Sequence, residues 1–554
     1  MPDSKGQPIR IKFLANGPIE ATREEIGQNH PIAVNPAPWM MKHYHDLHGR
    51  AAVHWMTPDY IADRTPHDIV DELLSTDVDV LLLPCFVWNH DLQMSVAELY
   101  KSRNPAGRVI VGGPQLVAHK DKDFFHKFPY VDYAVYGDGE RALTDILDYL
   151  VTGERGPWVN TVEKINGHAH VWPFEVLRDE LYWSTSPYLS QKQYIKDSLQ
   201  GIYDKGYTNQ DVILAVEFAR GCMYRCAYCD WSQNLTKKVT RRKADWREEL
   251  DFFKDLDVAM RETDANFGQW EEDMAIYDYA RQLHDPERNF RFLVWNTAKL
   301  KKNADHFMVG NVMTYDRRAK LSVEDTEEEV LKAIGRPSLP WSEHQVLLAR
   351  VRSRLGEERF QASTHAELML GLPRQTLDTF KENYTKLVLE GIFMFDLNHW
   401  VYAINSPGAS PAYLKQHGIE FTEHRLYNFV TDSETTDTWF QHQELGNLAE
   451  GYEMANTSPL FLKQQMVLRT KYMSTCELMT VKQADNLIQG EIISKQLKKT
   501  RRSGGPDLRN NIYKIISQAF DKASRMTKPR HDRSQTLINK YGFVLPDWRW
   551  HDKG

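Results

Sequence analysis

Cysteine is scarce in this chain. Five occur in 554 residues, an odd and small number that gives no disulfide framework and suits a reducing compartment. Long apolar runs are missing as well: stretches such as Val80-Leu-Leu-Leu83 fall far short of the roughly 20 residues a membrane helix needs. The polar start Met1-Pro-Asp-Ser-Lys5 lacks the apolar centre of a signal peptide, so a cytoplasmic protein with no membrane part is expected. Overall positive charge is also absent. At a net charge of -7 the molecule as a whole is not a polycation steered to nucleic acid. What remains is ordinary for a globular protein: 42% hydrophobic and 26% charged residues, in a chain long enough for about three domains and a sizeable core.

The chemistry is concentrated in one stretch. Ala219-Arg-Gly-Cys222-Met-Tyr-Arg-Cys226-Ala-Tyr-Cys229 gathers three of the five cysteines as C-x3-C-x2-C, with Cys85 and Cys476 far away in sequence. Such clustering suggests one metal centre. A structural zinc site takes four Cys or His ligands, and no histidine lies between His170 and His284 to supply a local fourth. A four-iron cluster also takes thiolates, and three of them leave one iron open to a substrate or cofactor.

This spacing, with Tyr228 just before the last cysteine, resembles the cluster loop of radical S-adenosylmethionine enzymes. The resemblance implies that Cys222, Cys226 and Cys229 hold a 4Fe-4S cluster whose open iron chelates S-adenosylmethionine. It further implies reductive cleavage to a 5'-deoxyadenosyl radical, hydrogen removal from unactivated carbon, and a reductant such as flavodoxin or ferredoxin.

Residues 1–150 read as alternating strands and helices. Ile9-Arg-Ile-Lys-Phe-Leu14 alternates apolar and polar residues, and Val78 to Leu83 is nearly all apolar, as a parallel strand covered on both faces should be. Further strands are expected at Ala51 to Met56, Arg108 to Pro114 and from Val131. Helices are expected at Trp39 to Leu47, from the cap Thr65-Pro-His-Asp68, at Asp91 to Lys101 and at Arg141 to Leu150. The pattern argues a Rossmann-like, doubly wound α/β domain that binds ligands beyond its strands' carboxyl ends. The glycines at those ends are required by tight turns whether or not a ligand binds.

The order and spacing of Gly112-Gly113-Pro114 and Gly137-Asp-Gly139-Glu140 resemble the cobalamin-binding domain that precedes many radical S-adenosylmethionine cores. Gly112, Gly113, Gly137 and Gly139 are the implied corrin contacts, with Gly-Asp-Gly-Glu standing where Gly-Glu-Gly-Glu is usual. No D-x-H-x-x-G occurs, so no histidine ligand to cobalt is expected. Some members of the family keep this fold without the corrin.

Residues 151–210, with Gly153, Gly156, Pro157, Pro173 and Pro187 and little periodicity, read as a linker. Residues 211–415 read as a partial (β/α)6 barrel that begins at Val212 to Phe218 and presents Cys222 at a strand's carboxyl end. Resemblance places cofactor contacts at Asn266 and Gly268 after the second strand, at Glu324 where Ala319 to Glu324 turns into a helix, and at Gly371 in Gly371-Leu-Pro. Glu327 to Glu329 compensate a helix dipole. Lys237-Lys-Val-Thr-Arg-Arg-Lys243, five basic residues in seven, reads as a solvated lead-in to a helix or an anion site. Ser406-Pro-Gly-Ala-Ser-Pro-Ala-Tyr413 resembles a terminal core element of cobalamin-type members.

Residues 416–554 form a C-terminal extension expected to be helical, aromatic at Trp439, Phe440, Trp548 and Trp550, with Cys476 read as buried. Lys495 to Ser534 carry twelve Lys or Arg against three Asp, a basic segment that reads as a solvated helical face or a nucleic-acid contact. The expected function is cobalamin-dependent methylation of an unactivated carbon. The alternatives are another radical reaction over an empty first domain, such as cyclisation, rearrangement or oxidation, and a non-enzymatic iron-sulfur nucleic-acid-binding protein.

Overall fold

The computed structural model describes residues 8–15, 32–60, 65–86, 89–231, 237–294, 303–336, 339–400, 403, 405–426, 463–469 and 472–541. Its first eight strands are β1 (Ile9–Phe13), β2 (Ile32–Val34), β3 (Val53–Trp55), β4 (Val80–Pro84), β5 (Arg108–Gly112), β6 (Tyr133–Val135), β7 (Thr161–Ile165) and β8 (His168–Val171). Seven of them make a sheet in the order β3-β1-β4-β5-β6-β7-β8, parallel as far as β6. Val80 to Leu83 are all at most 3% exposed, as expected of a strand with helices on both faces. Thr65 and Asp68 cap the helix Pro66–Ser75 reciprocally. The helix Ala37–His48 ends at Gly49, whose N–H donates to the His45 carbonyl.

The structure corrects the sequence reading in two places. Residues 151–210 are not a plain connector: β7 and β8 form an antiparallel hairpin that covers the edge of β6, and the helices Glu180–Ser184, Pro187–Ser190 and Lys192–Tyr203 follow. An uncovered β6 would present an unpaired ladder. The short β2 is absent from the first sheet and instead pairs parallel with the first core strand, Ile32 beside Val212.

The core strands are β9 (Val212–Val216), β10 (Ala219–Arg220), β11 (Thr240–Arg241), β12 (Ala259–Glu262), β13 (Arg291–Leu293), β14 (Ala319–Glu324), β15 (Thr364–Leu370) and β16 (Met394–His399). Six of them form the expected parallel series, in two arcs, β13-β12-β9-β2 and β14-β15-β16; β10 and β11 pair separately as a small antiparallel ribbon. Strand periodicity gives the second arc two faces. Leu321, Val323, Ala366, Leu368 and Leu370 join the main apolar core, while Ser322, Glu324 and Glu367 alternate with them. Trp295, read as the end of a core strand, lies outside the described residues.

The extension is helical only in part. It opens with an antiparallel pair, β17 (Glu420–Leu426) and β18 (Lys463–Arg469), and continues as helices Thr475–Gln489, Glu491–Ser503 and Leu508–Tyr541. Ile512, Ile516 and Phe520 are buried in the same cluster as the barrel helices. Tyr384 donates to Asp485 at 2.8 Å, and the Phe395 amide donates to Gln489 at 3.1 Å. Most cations of the basic segment are exposed, as a solvated helical face requires, among them Lys499, Arg502, Lys514 and Lys522. Arg501 instead turns in to pair with Glu357 at 2.6 Å, and Arg509 pairs with Glu382 at 2.5 Å at the surface. Cys476 is half-buried, not buried as expected, because it lies in the first turn of its helix. Trp439, Phe440, Trp548 and Trp550 lie outside the described residues. Among the described residues no helix is long and apolar enough to cross a membrane.

Candidate functional site

The three cysteines follow β9 and β10 at the carboxyl end of the first arc. Gly221 lets the chain turn there: its φ is +102°, and a Cβ on it would stand 2.0 Å from the Lys238 carbonyl oxygen. Asp264, after β12, accepts the Phe218 amide at 2.8 Å and so fixes the approach to the loop. Burial pushes the Asp264 carboxyl well above its usual range, against the donors of Ala219 and Phe218. Farther on, the Ala227 amide donates to the Ile334 carbonyl and the Gly408 amide donates to the Ala227 carbonyl, both at 2.8 Å. A Cβ on Gly408 would stand 2.5 Å from the Ala227 oxygen, so the Ser406 to Tyr413 segment clamps the loop at contact distance.

Cys222 and Cys226 are buried and Cys229 is half-buried. Among the described residues no three His, Cys, Asp or Glu side chains stand close enough to hold one metal ion. A single zinc requires that closeness, whereas a cubane spreads three thiolates over three separate irons. Three thiolates on one loop are the donor set that a four-iron cluster with one open iron would take.

Two residues expected at the cofactor meet one that was not foreseen. The Tyr228 hydroxyl lies 3.3 Å from Glu324 Oε1, and Arg336 stands 2.9 Å from the same oxygen while also donating to the Tyr228 hydroxyl. Arg336 makes a further bond of 3.0 Å to the Ser322 carbonyl. Burial works against the Arg336 charge, but Glu324, Tyr228 and Cys226 outweigh it and raise its pKa; burial and then Glu324 push the Tyr228 hydroxyl well up. Glu324 itself has φ +63° at a register shift between β14 and β15, a left-handed conformation that costs energy in a residue with a Cβ.

Asn266 is buried and donates through Nδ2 to Cys222 Sγ at 3.3 Å. Gly268 and Gly371 both have positive φ, +97° and +93°. Their amides are already engaged, Gly268 with Asp273 at 2.7 Å and Gly371 with Gln375 at 3.0 Å. Gln375 in turn donates to Asp325 at 2.7 Å, whose carboxyl burial pushes up to about 6. Both glycines thus serve rigid, buried turns.

The implied corrin contacts lie on the carboxyl edge of the first sheet. Gly112 ends β5, and a Cβ on Gly113 would meet the Cys85 carbonyl at 2.5 Å. Gly137 has φ +70°, and a Cβ on Gly139 would meet Met41 at 2.7 Å. Packing alone accounts for Gly113 and Gly139. The acids between and after these glycines reach the cluster loop: Arg220, two residues before Cys222, pairs with Glu140 at 2.7 Å, Asp138 at 3.3 Å and Glu217 at 2.8 Å. Tyr182 adds a 2.9 Å bond to Glu140. On the opposite side Lys120 bonds Asn405 at 2.7 Å, and Asn405 donates to the Pro114 and Leu116 carbonyls. Burial pushes Asp230, next to Cys229, up to about 8, with Lys120 opposing it.

The basic stretch after the loop divides: Lys237, Lys238 and Lys243 are exposed, as a solvated lead-in requires, whereas the two arginines are engaged by the protein. Arg242 is buried with its guanidinium over the rings of Tyr182, Trp183 and Tyr188, and Arg241 pairs with Glu272 and Asp273, each at 2.6 Å. Arg336 and Arg220 were missed because neither is fixed by local spacing; each is singled out only by partners far away in the sequence.

Residues 52–147 match the family model described as B12 binding domain. Over 386 residues, or 64% of this chain and 51% of the relative, the chain is 30% identical to the 2-(S-pantetheinyl)-carbapenam-3-carboxylate methyltransferase of Streptantibioticus cattleyicolor. It is 29% identical over 369 residues, 63% of this chain and 50% of the relative, to TokK of Streptomyces tokunonensis, a cobalamin-dependent radical SAM methyltransferase. The chain thus spans about half the length of the curated relatives it matches. TsrM from Kitasatospora setae, a radical S-adenosylmethionine methyltransferase solved with cobalamin and a 4Fe-4S cluster, superposes with a TM-score of 0.56 at 11% identity, over 93% of this chain and 100% of TsrM. That match is one of fold. In sequence and in architecture, the chain resembles radical S-adenosylmethionine enzymes that carry an N-terminal cobalamin-binding domain.

Proposed function

We propose that this chain is a cobalamin-dependent radical S-adenosylmethionine methyltransferase acting on an unactivated carbon, in the reducing cytoplasm and with a flavodoxin- or ferredoxin-type electron donor. The observation that carries this reading is the Arg220 junction. One buried guanidinium ties the Gly137 to Glu140 turn, at the ligand edge of the first sheet, to the base of the cysteine loop. A ligand held at each place would therefore face a shared space between the domains.

When bound, the cluster supplies one electron to cleave S-adenosylmethionine and the corrin supplies the methyl group. The chain's own residues do the rest. Cys222, Cys226 and Cys229 would hold three of the four irons, while Asn266, Gly268, Glu324 and Gly371 would border the cofactor and Tyr228 steadies Glu324. Arg336 holds Glu324 and Tyr228 in one orientation, and its fixed charge would attract a carboxylate. Gly112 and Gly137 would be the corrin's backbone neighbours, while Gly113 and Gly139 shape the same edge by packing against Cys85 and Met41.

Anaerobic reconstitution with iron, sulfide and hydroxocobalamin tests the proposal. Retention of both the cluster and the corrin is expected, with 5'-deoxyadenosine and S-adenosylhomocysteine both formed when extract from the host supplies substrate. A loaded cluster without corrin, or 5'-deoxyadenosine without S-adenosylhomocysteine, would remove methyl transfer and leave another radical reaction.

A further inference from the structure

Asn266 touches a cysteine of the loop directly, and its two polar atoms have different fates. Nδ2 donates to Cys222 Sγ at 3.3 Å, while Oδ1, closed off from solvent, accepts no hydrogen bond. The orientation has a chemical cause. A metal-bound thiolate offers only lone pairs, so the amide nitrogen must face it and the oxygen must face away. Nor can the side chain swing aside easily, because both flanks are pinned: Asp264 accepts the Phe218 amide at 2.8 Å, and the Gly268 amide donates to Asp273 at 2.7 Å. At 7% exposure the N–H has no water to compete for it.

Hydrogen bonds to cluster sulfurs are among the determinants of an iron-sulfur reduction potential. Adding an electron puts more negative charge on the sulfurs, and an N–H dipole aimed at one of them stabilises the reduced state more than the oxidised one. We propose that Asn266 sets the reduction potential of the cluster, raising it through the N–H to Cys222 Sγ. This rests on the reading of Cys222, Cys226 and Cys229 as 4Fe-4S ligands. The redox step is simple: one electron passes from a low-potential one-electron donor to the cluster, which goes from its 2+ to its 1+ state with no proton moved and no bond broken. Asn266 would make that transfer easier.

The test compares reconstituted full-length wild type with Asn266→Leu, which is similar in size but neither donates nor accepts, and with Asn266→Ala. Each sample is matched at four irons per chain. Electron paramagnetic resonance at fixed dithionite poise, without S-adenosylmethionine, reads the ratio of reduced to oxidised cluster. Both variants are expected to show about a tenfold lower ratio, equivalent to about 59 mV for one electron. A measurement on the wild type alone needs no variant to load: protein labelled with 15N only at asparagine should show a 15N hyperfine coupling to the reduced cluster. An unchanged ratio in the variants, or no 15N coupling in the wild type, overturns the inference while leaving the cluster in place. Wild type that binds zinc or no four-iron cluster would instead overturn the reading of the site, and the inference with it.

Discussion

Glu324 and Arg336 decide how rigid the cofactor rim is. Their side chains are 11% and 6% exposed at 2.9 Å, so this is a buried pair, and removing one partner leaves an uncompensated charge at a cost of roughly 3–5 kcal/mol. Glu324→Ala should therefore lower the apparent melting temperature by several degrees in a thermal shift assay, and Arg336→Lys should weaken S-adenosylmethionine binding about tenfold by losing the fork that spans two partners. Asp485 supplies a pH-dependent counterpart. Burial pushes it up to about 6, with Tyr384 and Gln489 opposing. The folded state thus holds the proton more tightly than the unfolded chain, so this residue's contribution falls as pH rises from about 4 to about 6 and is constant above that. Asp485→Asn should remove that decline. Its melting temperature relative to wild type should improve between pH 4.5 and pH 7, by on the order of 2 kcal/mol in stability.

At this scale the sequence was legible where chemistry needs one residue type at fixed spacing. Cys222, Cys226 and Cys229 announced themselves, and Tyr228 and Glu324 proved to touch. Arg336 and Asn266's bond to sulfur could not be seen, because they depend on which loops the barrel brings together across gaps of 108 and 44 residues.

Among elements, the cysteine loop behaves as a clamped strap. The Pro407–Ala409 turn touches it through Gly408, where a side chain would meet both the Ala227 carbonyl and, at 2.7 Å, the Trp400 ring. Gly408→Val should displace the loop and reduce iron incorporation on reconstitution by half or more, measured as iron per chain, while far-ultraviolet circular dichroism stays near wild type. Elements with strong local signals were foreseen: the capped helix after Thr65, the apolar β4 and the core strands β9, β12 and β14 in order, whereas β16 was implied only by the barrel's count of six. Elements stabilised only by a distant partner were not. The hairpin β7–β8 is short, and β8 is mostly exposed, so it lacked a readable alternation. Three residues of β2 carry no signal of their own.

For the whole molecule, the two sheets are joined by more than a covalent link. Arg220, gripped by Glu217 within the core and by Asp138 and Glu140 from the first sheet, is the most heavily paired cation between them among the described residues. Arg220→Gln should loosen the arrangement, seen as faster limited proteolysis between residues 150 and 210 and weaker retention of hydroxocobalamin on gel filtration. The architecture itself followed from the alternating pattern, but the docking of the C-terminal helices on the barrel did not. Their apolar positions could have faced any surface until Tyr384 and Asp485 were seen to meet.

The placement of β2 has a bearing on biosynthesis. A strand made among the first residues finds its hydrogen-bonding neighbour only when Val212 to Leu214 have left the ribosome, roughly ten seconds or more later at usual elongation rates. Until then the growing N-terminal half has an unfilled obligation, and a fragment cut before residue 212 would keep it permanently.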